Sequence, residues 1–119
     1  MDLATTPLRV ASAAKVPAIR HKVRRFAEPL VGAGRARDVE LAAAEALANA
    51  LLHGTGPVTL TASCADRVLR VEVRDQGPGF AVARRVDHGR GLAIVAELAD
   101  RYGLDRADGF TRQFFEVDL

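Results

Sequence analysis

The segment DVELAAAEALANALLH, from Asp38 to His53, constrains the fold more than any other part of the chain. It is rich in strong helix formers, and its apolar residues surround the predicted helix on nearly every side. A helix that is apolar nearly all round is buried. Glu45 and Asn49, followed one turn later by His53, form a polar stripe on this element. The sequence therefore predicts a buried helix with polar groups that require an explanation.

Periodicity predicts the other elements around this helix. The first part of the chain predicts a short edge strand between Thr5 and Ala11, an amphipathic helix from about Lys15 to Leu30, and a connection from Val31 to Arg37 that leads to Asp38 as an N-cap. Gly54 stands where a C-terminal cap belongs.

Alternating residues after that cap predict a β-hairpin. Val58 to Cys64 forms one arm, Ala65 to Arg67 the turn, and Leu69 to Val73 the other arm. By the same parity Asp75 points inward, and a buried carboxylate needs an internal partner or a ligand.

The C-terminal third of the chain predicts one more helix and two strands. The helix, LAIVAELADRY, is expected to end at Gly103, and strands follow near Leu104 to Ala107 and from Phe110 to Leu119. On the last strand one face carries Thr111, Gln113, Phe115, Val117 and Leu119.

The order of elements and the chain length predict the fold class. A chain of 119 residues with 49% hydrophobic residues can form one domain over residues 1–119. We expect an α/β fold of the α+β two-layer type, with a mixed, mainly antiparallel sheet covered on one face by three helices.

Composition excludes several classes of protein. No apolar run approaches the roughly 20 residues of a membrane span, and no secretion signal is evident, so we expect a cytoplasmic protein. Cys64 stands alone, and no Cys/His spacing predicts zinc. The net charge of +2 comes mainly from one cluster of basic residues. Because no aromatic residues are interleaved with them, the cluster is only weak support for nucleic-acid binding. The cluster comprises Arg20, His21, Lys22, Arg24 and Arg25. It is either a solvated helix face or a surface for an acidic protein partner.

Two segments carry carboxylates that the fold alone does not require. Glu45 and Asn49 lie one helical turn apart, so a carboxylate that can accept a proton and an amide oxygen that can bind a hard cation could act on one site. Asp75 precedes Gly77 and Gly79, where backbone can approach a flat ligand closely. Taken singly, each pattern also suits a cap, a surface patch or a turn.

A third segment places glycines before a helix. Gly89 and Gly91 precede the predicted third helix, and a glycine-rich loop at a helix N-terminus presents free N–H groups to phosphate. Such loops also cap helices without an anion. No Walker A sequence is present, so a P-loop is not the explanation.

Together these segments resemble the boxes of the GHKL superfamily, the Bergerat-fold ATPases. EALANALLHG (residues 45–54) resembles the N-box, DQGPGF (75–80) the G1 box and GRGLAIVAELADRYG (89–103) the G2 box. The likeness is greatest to the anti-sigma factor serine/threonine kinases, and KVPAIRHKVRRFA is similar to the first helix of that branch. The resemblance covers nearly the whole chain and implies binding of ATP and Mg²⁺.

The resemblance also implies roles for individual residues at the adenine end of such a site. Asp75 would accept a hydrogen bond from the exocyclic amine of adenine, and Gly77 and Gly79 would keep the adenine pocket open. Gly109 with Thr111 is similar to a Gly-x-Thr near the end of the family's domain, which implies that Thr111 contacts the nucleotide.

At the phosphate end, Asn49 would bind the magnesium ion that bridges the phosphates, and Glu45 would be the catalytic base. Gly89 and Gly91 would bring backbone to the phosphates, and Arg90 would neutralise their charge.

The function implied is an anti-sigma regulator that sequesters a sigma factor and transfers the γ-phosphate of ATP to a STAS-type anti-anti-sigma protein. The family also suggests a homodimer, with no direct contact to nucleic acid or membrane. The alternative is a nucleotide-dependent binding module with little catalysis, because only residues 80–88 form the segment between the glycine boxes. A histidine kinase catalytic half is disfavoured, because no phospho-acceptor helix lies upstream in the sequence.

Overall fold

The computed structural model describes residues 3–5, 7–53, 56–76, 95–107 and 109–119. A short 3₁₀ turn, Ala13–Lys15, precedes helix α1 (Val16–Val31), and helix α2 spans Ala33–His53. Residues 95–98 are helical as well. The strands are β1 (Leu3–Ala4), β2 (Leu8–Val10), β3 (Val58–Ala65), β4 (Val68–Asp75), β5 (Arg101–Ala107) and β6 (Phe110–Asp118).

The strands form one six-stranded sheet. Its order is β1-β3-β4-β6-β5, and β2 also pairs with β3. Every pairing among the described strands is antiparallel, so the parallel component of the expected mixed sheet is not seen there. The predicted fold class, an α+β sheet with helices on one side, is confirmed.

The core lies between the helices and one face of the sheet. Alternate residues of β3 and β4 are buried, and their register places Leu60 beside Val73 and Ala62 beside Val71. Helix α1 contributes Ile19, Val23 and Ala27, and residues 95, 98 and 99 pack at the margin of the same core. Because the parity of each strand matches its burial, the hairpin prediction is confirmed.

Helix α2 is buried on one side rather than all round. Val39, Ala43 and Leu47 are fully buried, but Leu52 is 73% exposed and Leu41 is 38% exposed within the described structure. The prediction of a helix buried on nearly every side was wrong at Leu41 and Leu52, because the sheet is a single layer and covers only one face of the helix.

The connection between α1 and α2 is much shorter than expected. The segment predicted as a linker, Val31 to Arg37, is helical apart from Gly32, and Asp38 lies inside α2 instead of capping it. Gly32 has φ +86° and ψ 163°, a conformation open essentially to glycine alone. Gly32 alone reverses the direction of the chain. The residues that follow it can therefore already belong to α2.

The end of the third helix also differs from the prediction. The described helix stops at residue 98, and Arg101, Tyr102 and Gly103 belong to β5. Gly103 does not cap a helix; a Cβ there would come within 2.8 Å of the Phe114 ring. Cross-strand pairing with β6 overrides the local helical pattern here.

The outer face of the sheet carries a network of ion pairs across β4, β5 and β6. Arg70 bridges Glu72 and Glu116, and its guanidinium lies 4.2 Å from the centre of the Phe114 ring. Arg101 donates hydrogen bonds to Glu116 and Asp118. The hydrogen bonds from Arg101 lower the pKa of both carboxyl groups below their ordinary values.

The residues of the basic cluster on α1 differ in burial and in ion pairing. Arg20 and Arg24 are half-buried and lie 4.0 and 3.9 Å from Glu40 and Glu28, whereas the remaining basic residues of the cluster are exposed. Among the helices of the described residues, none is long and apolar enough to cross a membrane.

Candidate functional site

Asp75 is the last residue of β4 and is 1% exposed. It lies directly opposite Thr111, which is 0% exposed, near the start of β6. Both side chains point to the helix-covered face, because they continue the buried alternation of their strands. The inward orientation predicted for Asp75 is confirmed, and the sheet brings Asp75 and Thr111 together.

Glu45 and Asn49 lie on α2, and both are half-buried. Among the described residues, neither side chain has a hydrogen-bond or ion-pair partner. The helix is anchored by its apolar face, through residues such as Leu47 and Ala50, so these two polar groups are held at the margin of the core. The structure therefore places a carboxylate and an amide one helical turn apart at the margin of the core.

The topology places these two pairs at the same end of the molecule. Helix α2 ends at His53, and the chain enters β3 at Val58, so the C-terminal half of α2 lies near the sheet end where β3 begins. Because β3 and β4 are antiparallel, β4 ends there with Asp75. A Cβ at Gly56, in the connection from α2, would meet the Gln76 side chain at 2.5 Å, so this connection lies against the residue that follows Asp75.

A hydrogen bond joins the sheet to helix α2 within this region. Gln113 Nε2 donates to the carbonyl oxygen of Ala46 at 3.2 Å. Strand parity predicts Gln113 on the inner face of β6 without a role. The available signal was an amide among inward-facing residues that, apart from Thr111, are apolar.

The remaining predicted site residues lie outside the described residues. They are Gly77, Gly79, Gly89, Arg90 and Gly91. The same holds for the predicted cap Gly54, and for the segment 80–88. Their contribution stays a prediction.

The donor set suits a nucleotide with a hard cation. No group of three or more His, Cys, Asp or Glu side chains that could hold a metal ion occurs in the part of the chain that the structure describes. Mg²⁺ does not require such a group, since it is commonly bound by one or two protein oxygens together with substrate phosphates and water. The half-buried amide of Asn49 can supply one such oxygen.

The described residues thus form an α+β fold with a buried carboxylate at the end of β4 and two half-buried polar side chains on α2. The family model for the histidine kinase-like ATPase domain matches residues 10–112, and the chain belongs to this family. Membership implies a kinase-type domain that binds ATP, and it confirms the family that the motifs resemble.

Two curated relatives carry histidine kinase names. The chain is 41% identical over 73 residues to the sensor histidine kinase component HK1 of Mycobacterium tuberculosis strain H37Rv, covering 48% of this chain and 44% of the relative. It has the same identity over the same length to the probable sensor histidine kinase HK of strain CDC 1551, covering 19% of that protein. The chain thus spans less than half the length of either relative.

A solved structure has the same fold. The RsbU and RsbW domains of Rv1364c from Mycobacterium tuberculosis superpose with a TM-score of 0.72 at 22% sequence identity. The match covers 97% of this chain and 33% of the other. It supports the two-layer architecture over nearly the full length of the described fold.

Proposed function

We propose that the chain is an ATP-binding regulator with protein serine/threonine kinase activity. Asp75 carries the proposal, because its side chain is 1% exposed at the end of β4 on the helix-covered face of the sheet, where its carboxylate would accept a hydrogen bond from the exocyclic amine of adenine. The same hydrogen bond would select ATP over GTP, since guanine presents a carbonyl oxygen at that position. Gly77 and Gly79 would keep the pocket open to the base, and Thr111 would contact the nucleotide.

The polar pair on α2 would act at the phosphates. Asn49 would bind Mg²⁺, which supplies charge neutralisation for the transferred phosphoryl group. Glu45 would orient the attacking hydroxyl and accept its proton. The hydroxyl oxygen forms a bond to the γ-phosphorus as the bond to the bridging oxygen breaks, and ADP leaves. Gly89, Arg90 and Gly91 would hold the phosphates from the start of the third helix.

The proposed phosphate acceptor is a STAS-type anti-anti-sigma protein, and the proposed sequestered partner is a sigma factor. The resemblance of the motifs to the anti-sigma factor kinases supports this choice, and the fold shared with the RsbU and RsbW domains of Rv1364c agrees with it. The proposed homodimer is supported by the sheet edge at β1, where Leu3 is 44% exposed.

Calorimetric titration with ATP and Mg²⁺ tests the nucleotide site. We expect saturable binding to the wild-type protein, no binding of GTP, and loss of ATP binding in Asp75→Ala. If Asp75→Ala retained wild-type affinity for ATP, the assignment of the adenine site would be wrong.

Phosphate transfer tests the role of Glu45. Glu45→Gln should bind ATP as the wild type does, but transfer should fall by about 10²- to 10⁴-fold, the usual contribution of general base catalysis. Glu40→Gln is the matched control, because Glu40 lies on the same helix and is paired with Arg20. Equal activity of Glu45→Gln and Glu40→Gln would remove Glu45 from the mechanism. Tight ATP binding with no transfer by the wild type would favour a nucleotide-dependent binding module instead.

A histidine acceptor on a separate protein is the second candidate. The 41% identity to a protein named as a histidine kinase component favours it. The two candidates differ in the product, because a phosphoserine or phosphothreonine ester survives acid that hydrolyses phosphohistidine. Acid treatment of the labelled acceptor therefore separates them.

A further inference from the structure

The inner face of β6 carries one amide that reaches across the interior. Thr111, Phe115 and Val117 on this face are at most 2% exposed, and Gln113 lies between Thr111 and Phe115 as a half-buried residue. An amide in this position loses hydration on folding, and its hydrogen bond to Ala46 offsets that cost. If packing were the only requirement at position 113, an apolar side chain would meet it.

The accepting carbonyl lies within the polar stripe of α2. Ala46 follows Glu45 directly and precedes Asn49 by less than one turn. In an α-helix this carbonyl also accepts the N–H of Ala50, so Gln113 adds a second donor to a backbone group that is already bonded. The hydrogen bond from Gln113 therefore contributes more to the position of α2 on the sheet than to the stability of the helix.

On the sheet, Gln113 also lies near the other half of the site. It pairs with Val73, two residues before Asp75, and it lies two residues after Thr111. Apolar burial is non-directional, so it does not by itself fix how far a helix slides along a sheet. A hydrogen bond is directional, and this one joins the strand carrying Thr111 to the helix carrying Glu45.

We propose that Gln113 is a positioning residue that fixes α2 against the sheet and so sets the span between the adenine end and the phosphate end of the nucleotide site. The inference rests on the proposed function, because it takes Asp75 and Asn49 to contact opposite ends of one nucleotide. It predicts that the loss of Gln113 affects ligands that need both ends, and spares ligands that need only one.

The test compares Mg-ATP with adenosine by calorimetry. Gln113→Met keeps the length of the side chain but has no donor, and Ser63→Ala, on the outer face of β3 two strands away in the sheet, is the control. We expect Gln113→Met to bind adenosine as the wild type does and to bind Mg-ATP about tenfold more weakly, the effect of roughly one hydrogen bond. Gln113→Asn, which keeps the amide but is one methylene shorter, should show the same selective loss and serves if the methionine variant does not fold.

A second readout does not depend on nucleotide. In the ligand-free variants, amide hydrogen exchange should become faster for residues 46–50 of α2, while the β3–β4 hairpin keeps its wild-type exchange. Equal weakening of adenosine and Mg-ATP, or unchanged binding of both, would overturn the positioning role. A wild-type protein that binds neither ligand would instead overturn the proposed function.

Discussion

Thr111 contributes a hydroxyl that is 0% exposed and lies directly opposite Asp75. Valine has nearly the same shape but no hydroxyl, so Thr111→Val should weaken ATP binding by about tenfold if that hydroxyl contacts the nucleotide. Thr111→Ser keeps the hydroxyl and should retain most of the affinity. Calorimetry on both variants is the measurement, and equal ATP affinity for the valine and serine variants would exclude a hydroxyl contact.

The orientation of individual side chains was predictable from the sequence on the strands, where it depends only on the local alternation. The inward orientation of Asp75 followed from strand parity alone, because a strand alternates strictly between two faces. Leu41 and Leu52 were misplaced because helical periodicity does not reveal how many faces of a helix are covered. The role of Gln113 was not predictable, since its acceptor is a backbone carbonyl 67 positions away in the chain.

At the scale of elements, the α-helical hairpin depends on Gly32. A non-glycine residue at φ +86° and ψ 163° is strained, so Gly32→Ala should lower the free energy of unfolding by about 1–3 kcal/mol. Gly34, two residues later in α2, is helical, and a Cβ there meets nothing within 4 Å. Gly34→Ala should therefore raise stability by up to about 1 kcal/mol.

Urea unfolding of the two alanine variants measures this difference directly. The changes are chemically identical and lie in the same hairpin, so they control for each other. Stabilisation by Gly32→Ala would show that the chain reversal does not need a glycine conformation. The same comparison explains why the linker prediction was wrong. Two glycines in one segment indicated a loop, although only Gly32 makes the turn.

The ion-pair network on the outer face of the sheet predicts sensitivity to acid. Hydrogen bonds from Arg101 lower the pKa of Glu116 and Asp118, so the folded state binds these protons less readily than the unfolded state. The resulting stability is present above the ordinary carboxyl pKa of about 4 and is lost as the pH falls through the lowered values. Arg101→Gln should therefore lower the melting temperature near neutral pH and reduce its further loss in acid.

Melting temperatures from about pH 7 to about pH 3 check this dependence. Arg35→Gln is a suitable control, since Arg35 is exposed on α2 and has no ion-pair partner among the described residues. An Arg101→Gln melting curve parallel to that of the wild type across this range would show that these carboxyl groups do not couple folding to pH.

At the scale of the whole molecule, the order of elements and the layer architecture followed from the sequence because each strand and helix carries its own burial pattern. The start of α2 did not, because the backbone conformation of the single residue Gly32 decides it. The start of β5 did not, because cross-strand pairing with β6 decides it. Contacts between elements also make the candidate site a property of the whole domain. Its groups come from α2, β4 and β6, which unfold together if the domain is cooperative.

A ligand that binds only the folded domain must therefore stabilise all of it. At a free Mg-ATP concentration about 100 times its dissociation constant, the free energy of unfolding should rise by about 2.7 kcal/mol. GTP should give no such increase, and Asp75→Ala should lose the response to ATP while keeping a cooperative transition. Urea unfolding with and without each nucleotide provides the measurement. An equal response to ATP and GTP would place the stabilising contacts on the ribose and phosphates that the two nucleotides share, and the adenine-selecting role of Asp75 would then be wrong.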